Sequence, residues 1–335
     1  MQEALFYEKT GNNEVVCRLC PRNCRLKDGQ TGNCRVRENI GGTLYTHVYD
    51  RVAAVGVDPV EKKPLYHFYP GMEIFSIGEV GCNLHCSFCQ NYSTSQCFAR
   101  DFRGFHEIAP GQIIEKAQRN WHSIGIAYTY NEPFTFYEFM TDIARLAHGK
   151  GMKNVVVSNG YINPEPLHEL IPLIDAFNID LKSFDDSFYR KQAKASLAPV
   201  LESLRLIARS GKHLEITNLV ISGLNDDPDQ FESMVRWIAE ELGEKIPLHI
   251  SRYFPQYRLT LPPTPVEKLH QLFALAKKVL HHVYLGNVSD EYRSSTYCPN
   301  CGALIIERGH YRIRVSQPDF KGICKNCNTD VNIII

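Results

Sequence analysis

Cys82, Cys86 and Cys89 follow the spacing C-x3-C-x2-C. Closely spaced thiolates hold iron–sulfur clusters, and full ligation of a four-iron cluster takes four of them. This loop supplies three, whereas a structural zinc ion would also be closed by four ligands. Three thiolates point to a cluster with one iron open to a substrate or cofactor, unless His85 or Cys97 supplies a fourth ligand. Near the C-terminus, Cys298-Pro299-Asn300-Cys301 and Cys324-Lys325-Asn326-Cys327 are two C-x2-C knuckles. Four thiolates so arranged make the closed tetrahedral site of structural zinc, although spacing alone also admits a rubredoxin-like iron or an auxiliary cluster. Cys17, Cys20, Cys24 and Cys34 read C-x2-C-x3-C-x9-C. That pattern leaves zinc, a second iron–sulfur cluster and an unmetallated cap open.

These groups and Cys97 account for all 12 cysteines in 335 residues, and none lies between Cys97 and Cys298. The pattern is one of metal sites at one loop and both ends of a cysteine-free scaffold. So many thiols fit metal rather than disulfides in a reducing compartment. No basic-then-apolar opening follows Met1-Gln2-Glu3, and no apolar run approaches a membrane span, so a cytoplasmic protein with no membrane association is expected. With 37 basic and 37 acidic residues the chain is neutral, which excludes a global basic field for nucleic acid. Residues 17–37 depart from this balance, carrying Arg18, Arg22, Arg25, Lys27, Arg35 and Arg37 against Asp28 alone. That segment is either a solvated face or a docking surface for an anionic partner, RNA included.

The intervening chain must position the central thiolates. Strand candidates are 75–80, 124–129, 154–157, 176–180, 214–220, 247–250 and 283–285. Between them run helical periods: Ile113, Ile114, Ala117 and Trp121; Phe136, Met140, Ala144 and Ala147; Leu201, Leu204, Ile207 and Ala208; Leu269, Leu272, Phe273 and Ala276. Asp229 reads as the start of a further helix over 231–242, ended by Gly243. Alternating strands and helices imply an α/β fold with a parallel sheet. Six or seven units are too few for a closed eight-stranded barrel, so a partial (β/α)6-type parallel barrel is expected. Such folds place function at the C-terminal strand ends. There the sequence sets Cys82, Asn131-Glu132-Pro133, Ser158-Asn159-Gly160, Asp180 with Lys182, Thr217-Asn218, His249 with Arg252, and Gly286-Asn287, one group per strand.

The cysteine triplet, with Phe88 inside it and a repeated β/α chain around it, resembles the radical S-adenosylmethionine (SAM) superfamily. The likeness implies a 4Fe–4S cluster on Cys82, Cys86 and Cys89, whose open iron chelates SAM. It implies reductive cleavage to a 5′-deoxyadenosyl radical that abstracts hydrogen from a substrate. Tyr130-Asn131-Glu132-Pro133 stands where activating enzymes of glycyl-radical proteins carry Gly-Gly-Glu-Pro, with Glu132 expected to pair with the SAM ammonium. By the same likeness Ser158 and Asn159 lie by the ribose, and Asp180 and Lys182 by the methionyl end. Phe88, Asn131, Thr217, Asn218, His249 and Arg252 complete the implied cofactor contacts. The stretches 17–24, 128–133, 178–184 and 249–255, with the C-terminal knuckles, resemble the AmmeMemoRadiSam-system branch, relatives of the pyruvate formate-lyase activating enzyme.

Three parts are expected: a cysteine-rich N-terminal segment (1–70), the partial barrel (71–290) and a zinc-ribbon-like C-terminal module (291–335) with hairpin strands at 304–307 and 311–315. The implied partners are SAM, a low-potential electron donor and a protein or small-molecule substrate. The opposing class is a non-catalytic metal-binding adaptor docking an anionic partner or RNA.

Overall fold

A computed structural model describes residues 1–120, 122–309 and 312–335. Eight strands form the main sheet: β1 (Ala54–Pro59), β2 (Glu73–Gly78), β3 (Ser123–Tyr128), β4 (Lys153–Ser158), β5 (Ala176–Asp180), β6 (His213–Val220), β7 (Leu248–Arg252) and β8 (Val283–Gly286). From β2 to β8 each strand pairs in parallel with the next in sequence. Six helices make the crossovers: α1 (Pro110–Gln118), α2 (Tyr137–Gly149), α3 (Pro164–Leu170), α4 (Ala198–Arg209), α5 (Pro228–Glu241) and α6 (Val266–Ala276). Single-direction winding of this kind makes the expected partial barrel. It stays open because β1 joins β2 antiparallel at one edge and β8 ends the other.

All seven expected strands are present. β1 was not anticipated, and it takes the main sheet back past the expected boundary at residue 70. Helix α5 begins earlier than expected: Asp227, not Asp229, accepts from the Gln230 N–H, with Pro228 as first helical residue. Its end matches, since Gly243 has φ +116° and its N–H donates to Ile238. Trp121 and Tyr311, which figure in the expected elements, lie outside the described residues.

Parallel strands are buried on both faces, and the two faces here serve two cores. Ile126, Val156, Phe177 and Ile216 pack in the larger core that also holds the inward faces of the helices. Their neighbours Ala127, Val155 and Ala176 pack instead with Val60, Leu65 and Phe68 from the segment after β1, which plugs the barrel.

The N-terminal part consists of two small antiparallel sheets. Buried Arg37 ties it to α2 through an ion pair with Glu138, whose Oε1 also accepts the Leu5 N–H. The C-terminal part is a three-stranded sheet (Thr296–Tyr297, Leu304–Gly309, Arg312–Val315) over its own core of Ile305, Ile306, Phe320, Val331 and Ile333. Among the described residues no helix is long and apolar enough to cross a membrane.

Candidate active site

The loop after β2 carries the cysteine triplet to the C-terminal end of the barrel. It is pinned from below: the His85 N–H donates to Ala193 O, the Ser87 N–H to Gln192 O, and Ser87 Oγ to Gln192 Oε1 at 2.6 Å. Cys82, Cys86 and Cys89 all line one cavity of about 600 Å3. His85 and Cys97 are absent from its lining. The His85 ring is engaged elsewhere, with Nδ1 3.0 Å from Arg35 Nη2 and Nε2 2.5 Å from Asn33 Oδ1. Cys97 lies beyond the loop, with its thiol toward Phe98 O. Neither candidate fourth ligand therefore faces the triplet.

The triplet's setting fits a cluster with one open iron. Cys82 Sγ accepts from the Leu84 N–H at 3.3 Å and from Asn159 Nδ2 at 3.6 Å, and Ser95 Oγ lies 3.2 Å from Cys89 Sγ. Such donors stabilise thiolate sulfur on a metal. Burial pushes the Cys86 thiol up to about 11, and burial followed by the Glu132 carboxylate raises the Cys82 thiol well above its usual value. Bare thiolates are thus disfavoured, and a bound cationic metal would supply the missing compensation.

Phe88 of the same loop lines this cavity, and the other strand ends add Asn131, Ser158, Asn159, Asp180, Lys182 and Thr217. Lys182 Nζ donates to Asp180 Oδ2 at 2.7 Å. Asn159 Nδ2 also donates to Asn83 Oδ1 at 2.9 Å, which ties the β4 loop to the cysteine loop. Thr217 and Leu219 face inward, and the two-residue period of the strand turns Asn218 away. Asn218 Nδ2 instead donates to Leu181 O at 2.7 Å.

Three further expected residues stand off the cavity. Glu132 is fully buried beneath it, with Oε1 accepting from Ser158 Oγ (2.7 Å) and the Phe134 N–H (3.1 Å), and Oε2 from the Asn159 N–H (2.9 Å). Burial raises its carboxyl to about 7. In this structure it clamps the β3 and β4 loops together. His249 is buried in the barrel interior with Nε2 2.6 Å from Glu215 Oε2. Glu215 also accepts the N–H groups of Tyr66 and His67 and bonds His213. Burial opposes ionisation of Glu215, but the His213 and His249 hydrogen bonds outweigh it and hold the carboxyl well below its usual range. Arg252 donates to Thr264 O at 2.7 Å and lies over the Phe254 ring.

The sequence did not suggest the opposite wall. Asp58, Lys63 and Tyr130 line it, with Lys63 Nζ 2.7 Å and Tyr130 OH 3.0 Å from Asp58 Oδ2. Burial lowers the Lys63 pKa despite Asp58. Tyr130 adopts φ +70° at one of the two positions where the resembled motif has glycine. The left-handed turn survives without the glycine.

The basic N-terminal segment is partly consumed by this architecture. Arg37 is paired with Glu138, Arg22 Nε donates to Asn83 O at 2.9 Å, and Arg35 contacts His85, while Arg25 and Lys27 remain exposed.

A family model described as the radical SAM superfamily matches residues 79–238, which contain the cysteine loop and β3 to β6. An uncharacterized protein of Methanocaldococcus jannaschii is 44% identical over 338 residues, spanning the whole of both chains. The chain belongs to the radical SAM superfamily. Activating enzymes are among its more distant relatives. The (2S)-3-sulfopropanediol dehydratase activating enzyme of Klebsiella oxytoca is 25% identical over 36% of this chain and 38% of that enzyme. The pyruvate formate-lyase 1-activating enzyme of Escherichia coli K12 is 24% identical over 52% of this chain and 68% of that enzyme. Among solved structures, a radical SAM methyltransferase from Sphaerobacter thermophilus superposes with a TM-score of 0.52 and 18% identity over 71% of each chain, a likeness of fold. The radical SAM core here is thus the partial barrel, and the family implies a 4Fe–4S cluster and SAM for it. A closed four-cysteine site stands in the C-terminal part: the Sγ atoms of Cys298, Cys301, Cys324 and Cys327 all lie within 4.8 Å of one another.

Proposed function

We propose that this chain is an activating-enzyme-like radical SAM enzyme, with Cys82, Cys86 and Cys89 holding the 4Fe–4S cluster and the adjoining cavity holding SAM. Once bound, cluster and SAM supply one-electron cleavage of the sulfonium bond, giving a 5′-deoxyadenosyl radical that takes hydrogen from a protein or small-molecule substrate. The observation that carries the proposal is the three-thiol cavity wall from which both His85 and Cys97 are turned away. Lys182, anchored by Asp180, offers an ammonium to the SAM carboxylate. Asn131, Ser158 and Asn159 present polar groups along the wall between β3 and β4. Glu132 acts through Ser158 and Asn159, whose placement it fixes. The likeness to activating enzymes supports hydrogen abstraction from a partner. A low-potential electron donor completes the set, and zinc is proposed for the C-terminal four-cysteine site.

The test is anaerobic reconstitution with iron and sulfide, followed by SAM and a strong reductant. Wild type should form 5′-deoxyadenosine, and Cys86→Ala should form none. A fully loaded wild-type cluster that yields no cleavage product with a strong low-potential reductant would overturn the assignment, since cluster potentials reach roughly −700 mV.

A further inference from the structure

Cys17, Cys20, Cys24 and Cys34 converge on one small cavity, which Arg22 and Asn83 also line. We propose that these four cysteines hold a second, fully cysteine-ligated 4Fe–4S cluster seated against the loop of the first.

Sulfur spacing separates a cluster from zinc. A tetrahedral zinc with bonds of about 2.3 Å brings its four sulfurs to within about 4 Å of each other. The C-terminal set has that geometry, with Cys298 and Cys327 sulfurs 3.5 Å apart and Cys301 and Cys324 sulfurs 3.7 Å apart. Among the described residues it is the one group of three or more candidate ligands whose atoms all lie within 4.8 Å. The N-terminal sulfurs share a cavity but do not meet that limit. Nor do those of Cys82, Cys86 and Cys89, the triplet that radical SAM enzymes use for a four-iron cluster. In a cubane each thiolate binds a different iron, and the width of the cluster keeps the sulfurs apart. Gly32 forms the wall between two of them: a Cβ there would lie 3.8 Å from both Cys24 Sγ and Cys34 Sγ.

The surroundings match an anionic cluster. The Asn33 N–H donates to Cys24 Sγ at 3.5 Å, and Arg37 Nη1 lies 3.8 Å from Cys17 Sγ. Arg22 brings a second guanidinium to the cavity, and its Nη2 is buried with no hydrogen-bond partner. An unpaired buried guanidinium nitrogen beside a thiol cage calls for negative charge. The cage abuts the radical SAM loop directly. Arg22 Nε bonds Asn83 O, and a Cβ on Gly81, next to Cys82, would meet Cys34 O at 2.6 Å.

The test counts metal and does not depend on SAM cleavage, so its failure and that of the proposed reaction are distinguishable. Anaerobically reconstituted wild type should bind about eight iron and about eight sulfide per chain. A triple variant, Cys82→Ala with Cys86→Ala and Cys89→Ala, leaves the N-terminal quartet intact. It should keep about half of that iron and give a reduced-cluster electron paramagnetic resonance signal unaltered by SAM. Cys20→Ala with Cys34→Ala should lose the other half and retain a signal that SAM perturbs. Absence of iron from the triple variant, or a second zinc equivalent in the wild type, would overturn the inference even if the Cys20/Cys34 variant fails to fold.

Discussion

Lys182 donates to Asp180 across 2.7 Å, and both side chains face the cavity lined by the cysteine triplet. Burial works against the Lys182 charge, but Asp180 and the nearby Cys86 outweigh it and hold the pKa above its usual value. The ammonium is therefore a fixed positive charge at neutral pH, suited to a carboxylate. A hydrogen bond to a charged group contributes about 1.5–3 kcal/mol, so Lys182→Met should weaken SAM binding about ten- to a hundredfold. Iron content should stay at the wild-type level. Equilibrium dialysis of the reconstituted protein measures this, and an unchanged affinity would remove Lys182 from the SAM site.

Gly78 closes β2 where the chain from β3 folds over it. A Cβ there would sit 2.7 Å from Thr129 O and 2.8 Å from the Tyr130 ring. Gly78→Ala must therefore displace the turn at Tyr130, whose φ is +70° and whose hydroxyl is anchored on Asp58. The expected cost is about 1–3 kcal/mol in chemical unfolding, as for other overpacked sites. SAM binding should weaken with it, because Tyr130 forms part of the cavity wall. Gly111→Ala, where nothing lies within 4 Å, is the control and should leave both properties near wild type.

The barrel was legible because its parallel strands are buried on both faces and read as short apolar runs between helical periods. β1 was not, since Ala54-Val55-Gly56-Val57 exposes both valines at a sheet edge and pairs antiparallel, outside the strand–helix repeat. The same limit applies to the site. The cysteine loop and the Asp180–Lys182 pair are local in sequence and could be read directly. Roles that depend on distant partners could not. Glu132 is consumed by Ser158 and Asn159, and His249 by Glu215, 34 residues before it. Thr217 and Asn218 look equivalent as neighbours, but strand alternation sends one into the cavity and the other away from it. The wall of Asp58 and Lys63 comes from a segment that precedes the first parallel strand.

His67 links the barrel plug to the C-terminal part: its Nδ1 lies 3.0 Å from Asn332 O and its Nε2 2.5 Å from the Tyr284 hydroxyl. Burial lowers its pKa to about 3, against the nearby Glu215 charge, which favours protonation. The folded state thus leaves His67 neutral where the unfolded chain, with a pKa near 6.5, takes up a proton. Its contribution to stability is complete above about pH 6.5 and is lost as pH falls toward 3, by at most about 1.4 kcal/mol per pH unit. His67→Gln should make unfolding free energy less dependent on pH between about 4 and 6, even if it lowers stability at pH 7. Urea unfolding across that range compares the two slopes. Equal slopes would show that His67 does not titrate as its burial requires.

The C-terminal site can be separated from the iron chemistry by one substitution. Its four sulfurs already stand at zinc spacing, and Cys298 and Cys324 are buried in the small core that the knuckles enclose. A structural zinc of this kind contributes directly to folding of its module. That module is joined to the barrel through Arg308, which donates to Tyr66 O at 2.7 Å and lies 3.6 Å from Glu61. Cys298→Ser should remove one equivalent of zinc, leave the iron content unaltered and make the chain after residue 295 more susceptible to proteolysis. Metal analysis by mass spectrometry, paired with limited digestion, reads both effects. Loss of iron in place of zinc would assign the C-terminal cysteines to a cluster and overturn the zinc assignment.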